Sequence, residues 1–220
     1  MHLSRSTSRS HPHEISVEVP CMICMENSLL INTFSIKVGF LPTIENKILN
    51  SIAFEKIEMF FELFVQNSII LDKKQHKQFK NLTKIENNIV MTPDTPNDQT
   101  VGSLFYSKLS AIVGNDLSIE HLTLSSELGK NILYTFDADS VELEVLLPDR
   151  ADWWGTNVDF MPWWHRDDTA TYDLLIDDEK IYQGDMSWED FFKDELEKLK
   201  EENTVKGRFK IIAGGKDESQ

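Results

Sequence analysis

The segment 160–175 reads FMPWWHRDDTATYDLL and sets a histidine beside two carboxylates. His165 close to Asp167 and Asp168 has the residue types of a general base with an orienting carboxylate. No G-x-S-x-G or comparable nucleophile motif accompanies it, and a histidine in a charged loop more often faces solvent or caps a turn. The letters DDT at 167–169 fit a turn into a strand equally well. The sequence therefore predicts no catalytic residue here.

A second candidate site comes from the N-terminal H-x-H and C-x-x-C pairs. His11, His13, Cys21 and Cys24 are four ligands of the kind that zinc prefers. A second C-x-x-C would make the signal strong, but the chain has only two cysteines, which fit equally well as small apolar residues of a strand or turn. We therefore predict neither a metal nor another cofactor, with zinc as the alternative.

Carboxylate and phosphate chemistry receive less support. Pro148–Asp149 followed by Asp178–Glu179–Lys180 fits the letters of a metal-nuclease pattern, in which two carboxylates hold Mg²⁺. The middle position of that pattern should be apolar, and here it is Glu179. Neither G-x-x-x-x-G-K-[ST] nor G-x-G-x-x-G occurs, and the basic run KKQHKQFK at 73–80 is typical of a solvated surface.

Four of the five tryptophans fall within twelve residues, in the pairs at 153–154 and 163–164. Adjacent residues of an extended chain face opposite ways, so we expect at least one indole of each pair to reach a second surface. The alternative is a loop that folds over the core, with its indole N–H groups bonded to nearby carboxylates. The interface hypothesis takes tryptophan and arginine as anchors and aspartate as rim. Its residues are Trp153, Trp154, Trp163, Trp164, Arg166, Asp167 and Asp168.

The formal net charge of −15 is carried entirely by the second half of the chain. Residues 1–110 hold 11 basic and 11 acidic side chains, whereas residues 111–220 hold 11 basic and 26 acidic ones. A field of this sign repels nucleic acid and anionic membranes and favours basic partners. It predicts no direct nucleic-acid or membrane binding, and a basic protein as the partner.

The elements that must position these residues follow from apolar periodicity. EISVEV and LLINTFSIKVGF alternate as two strands, and a helix capped by Thr43 is predicted over 43–66. A second helix, capped by Thr95 with Pro96 at its first position, ends at Gly114. The remaining predictions are strands at LSIEHLTLSS, NILYTFD and VELEVLL, a hairpin turning at Asp177–Asp178, and an amphipathic helix capped by Ser187.

This order predicts an α+β fold, an antiparallel sheet backed by two helices with a C-terminal β-hairpin and helix extension. We divide the chain into a disordered arm 1–12, a core domain 13–147, an acidic tryptophan-rich extension 148–213 packed on the core, and a disordered tail 214–220. The order strand, strand, helix, helix, strand, strand is similar to that of the tunnelling-fold (T-fold) enzymes and of other α+β sheets. No residue motif points to one of them.

Two classes of function follow from these observations. The first is a non-enzymatic acidic interaction protein, an inhibitor or adaptor whose acidic half engages a basic, nucleic-acid-handling protein by imitating phosphate charge. The alternative is an oligomeric small-molecule-binding domain or enzyme with a T-fold-like sheet, in which Glu127 bonds a heterocycle and His121 or His165 transfers protons. Two cysteines and no apolar stretch behind the polar N-terminus indicate a cytoplasmic protein.

Overall fold

The computed structural model describes residues 13–26, 28–43, 46–75, 88–137, 161–176, 179–182, 187–193 and 197. Its centre is a six-stranded mixed sheet in the order β4-β3-β1-β2-β5-β6. The strands are β1 (His13–Met25), β2 (Ser28–Pro42), β3 (Ile69–Asp72), β4 (Ile89–Thr92), β5 (Leu117–Ser126) and β6 (Tyr134–Phe136). The α+β class predicted from the sequence is therefore confirmed.

The sheet is mixed because two short strands extend it beyond β1. The neighbours β1–β2, β2–β5 and β5–β6 pair antiparallel, whereas β3 runs parallel to β1 and β4 runs parallel to β3. All four residues of both β3 and β4 are buried, and the first three of each are apolar, as expected of parallel strands. The predicted order contained neither β3 nor β4, and the insertion of these two strands between the helices separates the fold from the simple strand and helix order that resembled the T-fold.

Alternation along the long strands separates a core face from a polar face. Val19, Phe34 and Leu124 are buried on the face that carries the helices. Ser35 and Lys37 stand exposed on the opposite face, where Lys37 pairs with Glu14 at 3.8 Å. A side chain at Gly39 would strike the ring of His121, so the glycine allows this imidazole to lie flat on the polar face.

The first helix begins later than the sequence predicted. α1 spans Lys47–Met59, and its N-cap is Asn46, whose Oδ1 accepts from the amides of Ile48 and Leu49 at 3.0 and 3.3 Å. Thr43 instead ties the end of β2 to the turn before β5, because its hydroxyl donates to the Asn115 carbonyl and its amide to the Asp116 carbonyl. The helical run ends at residue 65, close to the predicted residue 66.

A π-helical turn, Phe60–Val65, completes this helix. The amide of Gln66 donates to the carbonyl of Phe61, five residues back, at 2.7 Å. The wider turn lets the adjacent Phe60 and Phe61 both face the core, where each meets Phe105 edge to face with ring centroids 6.1 and 5.6 Å apart. This aromatic contact joins the first helix to the second.

The second helix, α2 (Asp98–Val113), is buried on nearly every side. Its N-cap is Asn97, which accepts from the Thr100 amide at 2.9 Å, rather than the predicted Thr95. Asp98 turns away from the helix end and accepts from the Ser126 hydroxyl at 2.7 Å. The helix ends at Gly114 with φ +55°, as predicted, because glycine enters this left-handed region without steric cost.

We expect the substitution Gly102→Ala to destabilise the protein, against the usual preference for alanine in helices. A Cβ at this position would lie 2.2 Å from Cε2 of Phe136 in β6. Overpacking of this kind costs about 1–3 kcal/mol, more than the gain in helix propensity of roughly 1 kcal/mol. Urea unfolding would measure the loss. The double variant Gly102→Ala/Phe136→Leu should recover most of it, whereas equal loss in both variants would contradict the contact.

Two further elements follow the sheet. β7 (Asp173–Ile176) and β8 (Glu179–Tyr182) pair antiparallel as a separate two-stranded sheet. α3 (Trp188–Phe191) is capped by Ser187, as predicted, and its Trp188 and Phe191 rings meet Phe64 of the π turn edge to face. The predicted strand VELEVLL and the domain boundary at 147–148 lie outside the described residues.

Candidate functional site

The second tryptophan pair is buried, and no indole of it reaches solvent. Trp163 and Trp164 belong to a 3-10 turn, Trp163–His165, and both have an exposed fraction of 0%. Successive residues of a 3-10 turn are about 120° apart rather than 180°, so both rings can face the interior. The rings meet edge to face at 5.7 Å, and the Trp163 indole N–H donates to the Met91 carbonyl at 2.8 Å. The expectation that one indole of this pair faces outward was therefore wrong.

The charged residues beside these tryptophans form a buried network around Lys108 of α2. The Lys108 side chain has no exposed surface, and its ammonium donates to the carbonyls of Trp163 and Arg166 and to Oδ1 of Asp168, at 3.1, 2.9 and 3.1 Å. The ammonium also lies 5.9 Å from the centroid of the Trp163 ring. All three donors of the lysine are thus satisfied by the segment that covers it.

Arg166 and Asp173 complete the network. The guanidinium donates to Oδ2 of Asp168 and Oδ1 of Asp173, both at 2.8 Å. Asp173 is almost fully buried, and its second oxygen accepts from the Trp163 amide at 2.8 Å. Two cations and two anions therefore balance, which is the condition under which ion pairs persist inside a protein.

Burial and ion pairing have opposite effects on the pKa values of Lys108 and Asp168. Burial lowers the pKa of Lys108 to about 8, and the Asp168 carboxylate opposes this, so the lysine still carries its proton at neutral pH. Burial acts to raise the pKa of Asp168, but the Lys108 and Arg166 charges outweigh it and hold that pKa below its usual value. Both groups are charged in the folded protein at pH 7.

The lowered pKa of Asp168 predicts that its carboxylate stabilises the folded protein at neutral pH and that this stabilisation is lost in acid. Its folded pKa lies below the unfolded value of about 3.9, so the contribution is complete above that value and disappears as the pH falls through the folded pKa. The difference in unfolding free energy between wild type and Asp168→Asn should be large at pH 6 and shrink toward pH 3. Urea unfolding across this range would measure it, with the exposed Asp167→Asn as control. A difference that does not change with pH would contradict the assignment.

A half-open cleft of about 390 Å³ lies beside this network, at the C-terminal end of α2. The last carbonyl groups of a helix carry a partial negative charge, and this end adds to the carboxylates of the wall. Three acidic residues and one lysine line the cleft, and one of the acids, Asp168, is paired with Lys108 and Arg166 of the network. The lining residues are Lys56, Ala111, Ile112, Val113, Gly114, Asp167, Asp168, Ser187, Trp188 and Glu189.

Lys56 lies against the helix end inside this cleft. Its ammonium donates to the Ile112 carbonyl at 3.3 Å. Burial lowers the pKa of Lys56, while the nearby carboxylates of Asp116 and Asp167 act to raise it. Asp116 and Asp167 therefore act on the same ammonium, and Asp167 is exposed.

The three residues predicted for small-molecule chemistry are not brought together. Glu127 is exposed in the turn after β5, and His121 lies six positions earlier on the polar face of the same strand, roughly 20 Å away. His165 is half-buried in the 3-10 turn, which packs on α2 behind the sheet, with its ring 6.0 Å from that of Trp164. The structure thus offers no shared pocket for these side chains.

The cysteines and His13 of the alternative zinc site do not converge on one point along β1. Cys21 and Cys24 are both buried thiols three positions apart on an extended strand, so their side chains leave opposite faces. Burial raises the pKa of Cys21 to about 12. His13 begins the strand, roughly 26 Å from Cys21 at 3.3 Å per residue, and His11 lies outside the described residues. Among the residues that the structure describes, no group of three His, Cys, Asp or Glu side chains is placed to hold a metal ion.

Two residues of the site, Lys56 and Lys108, were not predicted from the sequence. Lys108 is the only charged side chain after Asp98 in the sixteen residues of α2. A helix with so few charges is covered on all sides, so its lysine must be buried and must find carboxylates. That signal was present in the sequence. Trp153, Trp154, Asp149 and Asp178 lie outside the described residues.

Comparisons with known proteins add no relative to this picture. No protein-family model matches the chain, and no curated protein shows significant similarity to it. Within the described ranges, no helix combines the length and the apolar character needed to cross a membrane. Function must therefore be inferred from the site itself.

Proposed function

We propose that this chain is a non-enzymatic interaction protein whose acidic second half binds a basic protein, as an inhibitor or an adaptor. The observation that carries the proposal is the cleft at the end of α2, which Asp167 and Glu189 line together with Lys56, while the Asp168 carboxylate in the same wall is paired with Lys108 and Arg166. Such a site favours a cation of side-chain size, and an arginine or lysine of the partner has that chemistry.

The remaining charge extends the same preference over a larger surface. The 26 acidic side chains of residues 111–220 produce a field that steers a positively charged surface toward the cleft and speeds association. Proteins that handle nucleic acid carry such surfaces, so occupation of one by carboxylates would compete with phosphate. The partner we propose is therefore a basic, nucleic-acid-handling protein, and the chain itself binds neither nucleic acid nor membrane.

The proposal includes the arrangement of the chain. Residues 148–213 serve as the acidic extension of the α+β core of residues 13–147, and the location is cytoplasmic. The predicted arm at 1–12 and tail at 214–220 lie outside the described residues. Asp167, Asp168 and Arg166 keep their place in the interaction set, Asp167 as a direct contact and the other two as supports. Trp163 and Trp164 support this surface from beneath, since their rings are covered.

The test is a titration of the full chain with an arginine-rich peptide carrying a fluorophore. We expect binding that weakens steeply as salt is raised, because surface charges are screened over about 10 Å at 0.1 M salt. A peptide of the same length in which the arginines are replaced by glutamine should bind far less. Binding of both peptides with equal strength, or binding that ignores salt, would contradict the proposal.

A further inference from the structure

One end of the sheet gathers most of the exposed large apolar side chains. The structure describes eight such residues, and six of them lie at this end, at the beginning of β2 and in the connection between β5 and β6. Monomeric proteins rarely leave a cluster of this kind open to water. The six residues, called here the apolar end, are Leu29, Leu30, Ile31, Leu128, Ile132 and Leu133.

The beginning of β2 and the β5–β6 connection form one surface because hydrogen bonds hold them together. The Leu128 amide donates to Oδ1 of Asn32 at 3.0 Å, and the Glu127 amide donates to the Thr33 carbonyl at 3.3 Å. The β5–β6 turn is therefore fixed beside the beginning of β2. Ile31, at the beginning of β2, is the most exposed of the six residues, with an exposed fraction of 79%.

The beginning of β2 is also unpaired on one backbone edge, as far as the described residues extend. β1 pairs with β2 along its whole first half, from Ser28 onward, but β5 pairs with β2 only from Phe34. Within the part of the chain that the structure describes, no strand pairs with residues 28–32 on the β5 side. Exposed apolar edges of this kind are templates for another strand, and proteins usually protect them with charge, proline or a bulge. The segment SLLIN at 28–32 has none of these protections.

We propose that two copies of the chain pair through this edge, antiparallel across a two-fold axis, to form one continuous sheet. An antiparallel strand pair on a two-fold axis is its own complement, so the same segment supplies both sides. Leu29 and Ile31 lie on one face of β2, opposite Cys24 and Met22 of β1, and meet the same residues of the second copy.

The near-neutral charge of the apolar end favours a second copy of the chain over a basic partner at this surface. Residues 28–32 carry no charge, and the adjoining turn 127–133 carries one of each sign, Glu127 and Lys130. Identical neutral strips do not repel one another, and a basic surface finds no excess of carboxylates here.

The dimer leaves the cleft free. The cleft lies beside Gly114, before β5 begins at Leu117, and the apolar end lies past Ser126, where β5 ends. Ten residues of extended strand separate the two sites by roughly 30 Å. A dimer therefore presents two clefts, and loss of dimerisation and loss of peptide binding are separate outcomes.

Light scattering on the eluting protein tests the dimer. We expect the wild-type chain to show twice its own mass, and Leu29→Lys/Ile31→Lys to dissociate at concentrations at least tenfold higher than those that dissociate wild type. The control Leu63→Lys, at an exposed leucine of the π turn, should leave the mass unchanged. A wild-type chain that stays monomeric at the highest soluble concentration, or equal dissociation of control and double variant, would overturn the proposal.

A second measurement does not depend on substitutions. Hydrogen exchange of the wild-type amides at 28–32 should slow as protein concentration rises, because pairing protects them. The single change Ile31→Lys, at the most exposed position, keeps the test available where the double variant does not fold. Concentration-dependent protection located elsewhere, with none at 28–32, would show that the copies meet at another surface.

Discussion

Replacing Lys108 by Met lowers the free energy of unfolding by about 3–4 kcal/mol, according to the buried network described above. The substitution leaves the carbonyls of Trp163 and Arg166 without this donor and removes one of two cations that balance Asp168 and Asp173. Each buried acceptor that loses its donor costs about 1–3 kcal/mol, and the excess carboxylate charge adds to this. Urea unfolding at pH 7 would measure the loss.

A matched lysine provides the control for this experiment. Lys37 forms an exposed ion pair with Glu14 at 3.8 Å on the polar face of the sheet, and exposed pairs contribute about 0–1 kcal/mol. Lys37→Met should therefore change stability little. A double-mutant cycle of Lys108→Met with Asp168→Asn should show coupling, because the two side chains share one network. Additive losses, or a Lys108→Met loss no larger than that of Lys37→Met, would refute the network.

Trp163→Ala should have the second large effect, a decrease of about 3–5 kcal/mol in the free energy of unfolding. The ring is fully covered between α2, the neighbouring Trp164 and β4, and its indole N–H donates to the Met91 carbonyl. Truncation opens a cavity and removes that donor. Trp163→Phe should lose less, since it keeps most of the apolar volume. Thermal unfolding would compare the two variants.

Trp164→Ala tests the same point at the adjacent ring. If both tryptophans belong to the core, each alanine variant loses stability by several kcal/mol. If either ring were a contact for a partner, its variant would keep the stability of wild type and lose binding instead. That second pattern at either position would contradict the burial of the pair.

The sequence predicted most elements because strong apolar periodicity determines them. The boundaries of β5 match the segment LSIEHLTLSS, and Gly114 ends α2 as predicted. The helix starts were misplaced by a few residues because Thr43 and Asn46, or Thr95 and Asn97, are all acceptable caps. Which one serves depends on the path of the preceding chain, and local sequence does not determine that path.

The candidate site was predicted less well than the fold. Period-two alternation was assumed for WWH, whereas the chain forms a 3-10 turn that buries both rings. Lys108 lies 55 residues from Trp163 and 60 from Asp168, so their contact depends on tertiary structure. The charge balance of the chain pointed to an acidic surface, but only the fold placed Asp167 beside the end of α2.

The network and the cleft are parts of one arrangement. Lys108 holds the segment 163–168 against α2, and this contact positions Asp167 at the mouth of the cleft near Lys56. Buried groups thus fix the backbone that carries the exposed Asp167. In the function proposed above, Lys108 supplies stability, and Asp167 and Glu189 supply recognition.

The most direct test of the central claim compares two variants of equal charge in the titration with the arginine-rich peptide. Asp167→Asn/Glu189→Gln removes two carboxylates from the cleft, and Glu62→Gln/Glu120→Gln removes two exposed carboxylates from other surfaces. The account predicts that the cleft variant binds the peptide at least tenfold more weakly than wild type, while the control variant stays within about twofold, since close charge pairs contribute far more than distant screened ones. Equal weakening of both variants would show that net charge, and not the cleft, attracts the peptide, and would contradict the account.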